Sequence, residues 1–472
     1  MSRVTGLPAL TAQLTRSRFA ARQGESLLYL ASIVAYVVCS ALALTVAGGT
    51  WMFYNRWKSP QGIIAEAIAQ DPTFAQVTFF YLILALIACA LLVPTLAGLA
   101  AGAAVLGARG RERRLAALRL MGLSSGDVTR MALLDTVVQA TIGTVLGALI
   151  YLVTLPAWTG LDMLGMHVAV SEMLLPWWLG LTVASAVVAL GLLAAAWGLR
   201  NVRITPLGVA RRTARPRLKS WRLWAFVAVL VMAAIALPML QLGGQIVGYL
   251  ALISVMLMVV AGLDVAAPWM LQQLSRLFAQ SPSPSVMWAA RRIQANPKTT
   301  WRRVGGVGLL ALIGGYVGLM PMALSPQSEG ATRTIAEAAQ WDFTKGVMIT
   351  LAVGLILTST SLLISQASAV FERAEQTVSL RKVGAGSRFI SRVGWIETLG
   401  PLVLALLLGA ALGMGMAYPM YRMAAGFGFD SSGNLWLIVA VLAAGVALAA
   451  LALAACEPLQ RRVGAAEVRR ND

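Results

Sequence analysis

A chain of 472 residues that is 58% hydrophobic and only 12% charged is excluded from the soluble globular class, where about a quarter of residues carry charge. Its net charge of +19 would suggest a nucleic-acid partner on a soluble domain, but here the basic residues fall between long apolar runs, so the charge is a topology signal and nucleic acid is excluded. Three cysteines and one histidine are too few for a metal-ligand cluster or a Cys-His or Ser-His-Asp set, which excludes most enzymatic chemistry.

The first 25 residues carry Arg3, Arg16, Arg18 and Arg22 without a clear cleavage site, and read as an uncleaved amphipathic segment on the membrane surface. Ten apolar runs follow, at about 26–54, 74–107, 128–158, 173–199, 222–240, 245–263, 302–324, 344–370, 390–422 and 434–456. Each is long enough for a helix to cross a hydrocarbon core of roughly 30 Å, and the longer ones predict tilt. If the N-terminus is cytoplasmic, all but five of the 38 Lys and Arg lie on that side, the five being Arg56, Lys58, Arg333, Lys345 and Arg422. The positive-inside rule therefore places both termini in the cytoplasm of a bacterial inner membrane, with anionic lipid attracted to the basic face.

Tryptophan placement follows the same frame, since indole favours the headgroup level. Trp51, Trp57, Trp158, Trp177, Trp178, Trp341 and Trp436 mark an outer belt, and Trp197, Trp221, Trp224, Trp288 and Trp301 an inner one. Cys39, Cys89 and Cys456 fall within spans and read as packing residues; His167 stands alone in a short outer loop. The spacings Gly98-x-x-x-Gly102, Gly143-x-x-x-Gly147 and Gly409-x-x-x-Gly413 permit close helix approach. The basic run Arg211, Arg212, Arg215, Arg217 and Lys219 anchors the topology before the fifth span.

Two cytoplasmic loops repeat at an offset of 262 residues: LRLMGLSSGDVTRMALLDT at 118–136 and LRKVGAGSRFISRVGWIET at 380–398. Leu118, Arg119, Gly122, Ser125, Arg130 and Thr136 match Leu380, Arg381, Gly384, Ser387, Arg392 and Thr398; Arg111 and Arg373 keep the register upstream, and Asp135 faces Glu397. Each loop reads as an amphipathic helix broken at glycine, then a second helix that becomes a span. Spans 2, 3 and 4 thus correspond to 8, 9 and 10, spans 1 and 7 take equivalent leading positions, and spans 5 and 6 form a central pair. An even number of spans between equivalent elements makes the halves parallel repeats about the membrane normal. Asp135 and Glu397, just inside their spans, read as interfacial acids paired with elbow residues such as Arg130 or Arg392; proton coupling is the alternative.

This pattern of a basic helix, Leu-Arg, a break at glycine, a short stretch with Arg and an acid entering a Gly-rich span resembles the FtsX-like permease domain of ABC transporters, over about 74–199 and 344–456. The ten-span arrangement resembles the permeases of bacitracin-type peptide resistance. The resemblance implies an all-α polytopic membrane protein with two FtsX-like units. It divides the chain into 1–200 (surface segment and spans 1–4), 201–285 (basic linker and spans 5–6) and 286–472 (spans 7–10 and a short tail). It also implies that the elbows are coupling helices for two copies of a cytoplasmic ABC ATPase, with Arg111, Arg119, Gly122, Ser125 and Arg130 in the first and Arg373, Arg381, Gly384, Ser387 and Arg392 in the second. ATP and Mg would belong to that partner, and no cofactor to this chain, in which no Gly-x-x-x-x-Gly-Lys-Ser/Thr string occurs.

Relatives commonly carry a large extracellular domain after a leading span, whereas both corresponding loops here are short. That shifts the expected substrate towards amphipathic molecules entering from lipid: antimicrobial peptides, lipophilic drugs or lipids, exported or extracted. Two other functions are open at this point: a non-transporting regulator of a cell-wall hydrolase or sensor kinase, and an ion-coupled secondary carrier.

Overall fold

The computed structural model describes residues 25–72, 74–109, 125–203, 218–239, 245–319, 331–372, 374–426 and 435–470. The N-terminal surface segment and most of the basic run before the fifth span lie outside these residues. Among the described residues the chain is all-α apart from one minimal hairpin. In order, the helices are α1 (Glu25–Lys58), α2 (Ile63–Gln70), α3 (Phe74–Arg109), α4 (Ser125–Thr154), α5 (Val170–Met173), α6 (Trp177–Arg203), α7 (Trp221–Met239), α8 (Gln245–Phe278), α9 (Pro284–Ala295), α10 (Pro297–Leu319), α11 (Ala331–Glu372), α12 (Ala374–Lys382), α13 (Ser387–Gly426) and α14 (Leu435–Arg470).

Among the described residues, eight stretches, carried by α1, α3, α4, α6, α8, α11, α13 and α14, are long and apolar enough to cross a membrane. The two remaining expected spans are also helical: α7 has its apolar stretch at Trp221–Ala233, and α10 carries Arg302 and Arg303 in its first turns before the apolar run begins. Bulky apolar side chains project outward along these helices, among them Val153, Leu181, Leu193, Leu407 and Leu451. Such surface is costly in water and ordinary against lipid.

The described chain forms two compact units. The first comprises 1–60, 92–162 and 166–211, with α1 packed along α4 and α6. Its seam is built from small residues. A Cβ on Gly147 would sit 2.7 Å from the carbonyl oxygen of Val37 and closer still to Ser40, and one on Gly143 would meet Tyr36 and, at 3.0 Å, the carbonyl oxygen of Ile33. Ser40 donates to the Gly143 carbonyl at 3.3 Å, and Ser32 to Gln139 at 2.8 Å and to the Ala103 carbonyl at 3.0 Å. At the other end of α1, buried Arg56 pairs with Glu172 at 2.7 Å and donates to the His167 carbonyl at 3.1 Å. The His167 ring itself contacts Asp162, its partner across the hairpin, so the histidine read as solitary has a carboxylate beside it.

The second unit comprises 61–91, 163–165 and 212–472. Its core joins α7, α8, α9, α10, α13 and α14 through Phe226, Leu263, Leu271, Ile293, Leu402 and Leu406, among others. The most extensive pairing is α10 on α13. There, a Cβ on Gly409 would fall far inside 3.0 Å of the Gly308 carbonyl oxygen, and one on Gly413 would do the same at Leu312. Gly315 approaches the Ala410 carbonyl at 2.5 Å by the same measure. The 262-residue offset maps Gly147 onto Gly409. In both units, therefore, the helix that follows the elbow lies backbone to backbone against the leading helix of its repeat, the small-residue geometry of membrane helix pairs.

Trp301 departs from the expected inner belt. It is 2% exposed within the α8–α10–α13 core and donates through Nε1 to Asp264 at 2.7 Å. Position along a span fixes depth but not which way the ring turns, and a buried indole requires an acceptor. Trp177, Trp178, Trp221, Trp224, Trp341 and Trp436 are exposed.

Candidate functional site

The second elbow is fully traced from α12 to α13, and its geometry follows from one glycine. Helix α12 ends with the Ala385 N–H bonded to the Leu380 carbonyl at 2.9 Å and the Gly384 N–H to the Arg381 carbonyl at 2.9 Å. These are the two bonds of a Schellman cap, which requires a left-handed residue at its hinge. Gly384 supplies it with φ +93. Two residues on, the Gly386 carbonyl accepts from Phe389 at 3.1 Å and Ile390 at 3.3 Å, opening α13 at Ser387. The chain thus turns within Val383–Gly386 and enters a helix of 40 residues.

A Cβ at Gly384 would meet nothing within 4 Å, so substitution there acts through the backbone alone. Gly384→Ala is expected to destabilise by roughly 1–2 kcal/mol, the left-handed penalty of an L-residue, with Gly384→Asn recovering much of it. Thermal unfolding in detergent measures both.

Arg381, Ser387 and Arg392 gather at this turn with Arg388, Ser391 and Glu457, around a cleft of about 180 Å³. Arg392 is exposed, and Ser391 lies 3.4 Å from Glu457. Arg373 lies outside the described residues, as do Arg111, Arg119 and Gly122 of the first elbow. Ser125 opens α4, as Ser387 opens α13, and Arg130 is exposed on the second turn.

The matched acids are both buried, Asp135 at 7% and Glu397 at 5% exposure. Glu397 takes its charge partners from distant segments: Arg292 on α9 at 3.5 Å and Arg303 on α10 at 3.9 Å. Arg392 stands five residues before Glu397 on the same helix, a separation that puts the two on different faces, because only positions three or four apart meet. The next residue, Thr398, accepts from Gln366 of α11 at 2.8 Å. Sequence reasoning missed Arg292, Arg303, Arg388 and Glu457. Arg388 alone was findable, since it adds a third arginine where the first copy has Gly126.

A capped elbow feeding a span that is locked to a leading helix, with the same seam in a second unit, defines a multi-pass all-α membrane protein built by internal duplication. The FtsX-like permease C-terminal domain matches the chain twice, over residues 97–207 and 348–460. The chain thus carries in duplicate the FtsX-like permease domain, a domain of ABC-transporter membrane subunits. Each match contains one elbow. No curated protein matches the chain.

Proposed function

We propose that this permease exports or extracts amphipathic molecules, such as antimicrobial peptides, lipophilic drugs or lipids, on energy from ATP hydrolysed with Mg by two copies of a cytoplasmic ATPase subunit. The observation that carries the reading is the second elbow: a short basic helix, closed by a Schellman cap at Gly384, continues into α13, and α13 is seated on α10 through glycine. Force applied at Ser387 and Arg392 enters α13 directly, and force applied at Arg381 enters it through the capped turn at Gly384. The repeat assigns Arg119, Gly122, Ser125 and Arg130 the same task, with Arg111 and Arg373 flanking, which gives two docking points and two ATPase copies.

In this scheme both termini and both elbows face the cytoplasm of the inner membrane, as the basic residues favour. ATPase closure biases the permease between two arrangements with different affinity for substrate. The segment between α1 and α3 holds only the eight-residue helix α2, which offers little purchase to an outside partner and favours substrate entry from lipid.

The test is reconstitution of the full chain with its ATPase subunit. The double variant Gly122→Val plus Gly384→Val should retain ATP hydrolysis and lose most substrate-stimulated transport. Full coupling in that variant would remove the elbows from the mechanism. Transport driven by an ion gradient without the ATPase would replace the reading with a secondary carrier, and capture of a hydrolase or kinase without substrate-stimulated ATPase would replace it with a regulator.

A further inference from the structure

The cleft at the second elbow has a chemistry that docking to an ATPase does not require. Three guanidinium groups, Arg381, Arg388 and Arg392, and two hydroxyls, Ser387 and Ser391, line it, opposed by the single carboxylate of Glu457. Guanidinium forks match phosphate oxygens in a way that point charges do not. The position in depth is equally specific. Ser387 is the first residue of the apolar stretch Ser387–Pro419, and Glu457 is next to last in Ile438–Pro458. The cleft therefore lies between the start of α13 and the end of the apolar stretch of α14, at the level of the headgroups, on the face where the basic residues collect. Basic recesses between helix ends on this face are the geometry that holds anionic lipid headgroups. The positive end of α13 adds to the attraction.

We infer that this cleft binds the phosphate of an anionic phospholipid of the inner leaflet. The two elbows differ at one of these positions: at the 262-residue offset, Gly126 stands where Arg388 does. The site goes beyond the ATPase reading, and Arg388 and Glu457 lie outside the coupling set, so the two ideas fail separately.

The experiment uses the full chain without ATPase, exchanged through vesicles of equal parts phosphatidylglycerol and phosphatidylcholine, then taken into mild detergent. Retained lipid is counted by native mass spectrometry. Phosphatidylglycerol should be retained in preference to phosphatidylcholine. Arg388→Gln should lower that retention about fivefold, the effect of one basic side chain at a membrane surface, while Arg388→Lys keeps most of it. Glu457→Gln should raise retention, a gain that a misfolded variant cannot produce. Equal retention of the two lipids, or an unchanged Arg388→Gln, overturns the proposal. Displacement of the lipid by inorganic phosphate would assign the cleft to free phosphate, and displacement by added ATPase subunit without nucleotide would assign it to acidic side chains of that partner; either outcome also overturns it.

Discussion

Glu397→Ala is expected to cost the folded protein about 3–5 kcal/mol, the penalty of removing one partner from a buried ion cluster. The carboxylate lies 3.5 Å from Arg292 and 3.9 Å from Arg303, and the two arginine side chains are only 23% and 21% exposed. Without Glu397 they keep their charge and lose this carboxylate in a place water reaches poorly. The loss should appear in thermal unfolding of the detergent-solubilised chain. Arg392→Ala, an exposed position on the same helix, should change stability by no more than about 0.5 kcal/mol. If Glu397 also served proton transfer, Glu397→Gln would abolish transport while the fold survived. As an ion-cluster member it should instead lower stability and leave the coupling ratio of ATP hydrolysed to substrate moved unaltered.

Gly409→Leu should disrupt the second unit by at least the 1–3 kcal/mol typical of overpacking. The first atom of any side chain there already overlaps the backbone of Gly308, and backbone cannot swing aside as a side chain end can. The expected outcome is a chain that no longer survives extraction in mild detergent, assayed by size-exclusion chromatography. Gly147→Leu in the first unit should behave the same way, because its Cβ would sit 2.7 Å from the Val37 carbonyl. Gly415, on the same helix as Gly409, has nothing within 4 Å of its Cβ position. Gly415→Ala should be neutral or slightly stabilising through helix propensity alone, which separates the seam from a general effect of glycine.

Much of this architecture was readable before any coordinates, for a physical reason. Lipid demands about twenty apolar residues per crossing and internal satisfaction of the backbone, so spans announce themselves by length and composition. The elbow was readable because a Schellman cap needs glycine at one position, and Gly384 occupies it after Leu380, Arg381 and Lys382. The equivalence of spans 1 and 7, drawn from their leading positions and from the short match of Ile64-Ala65-Glu66-Ala67 to Ile335-Ala336-Glu337-Ala338, is matched by the α1–α4 and α10–α13 seams.

What the sequence concealed were pairings that depend on rotation about a helix axis. Arg392 is close to Glu397 along the chain but turned away from it, while Arg292 and Arg303 come from segments about a hundred residues earlier. Trp301 sits at the expected depth and faces inward to Asp264. The recess between Arg388 and Glu457 was invisible for the same reason: it forms only when the start of one span meets the end of another.

The α10–α13 seam also bears on how such a machine could be driven quickly. Where main chain lies against main chain, assembly freezes few rotatable side chains, so the joint is made at little entropic cost. It has correspondingly little slack. A displacement applied at Ser387 is not absorbed by side chains hopping between rotamers, and the first 27 residues of α13, Ser387 to Gly413, span about 40 Å at 1.5 Å per residue. Pro401 interrupts the hydrogen-bond ladder within that length, so a tilt of about 5° at Ser387 carries rigidly over the first ~20 Å, a shift of about 2 Å at Pro401.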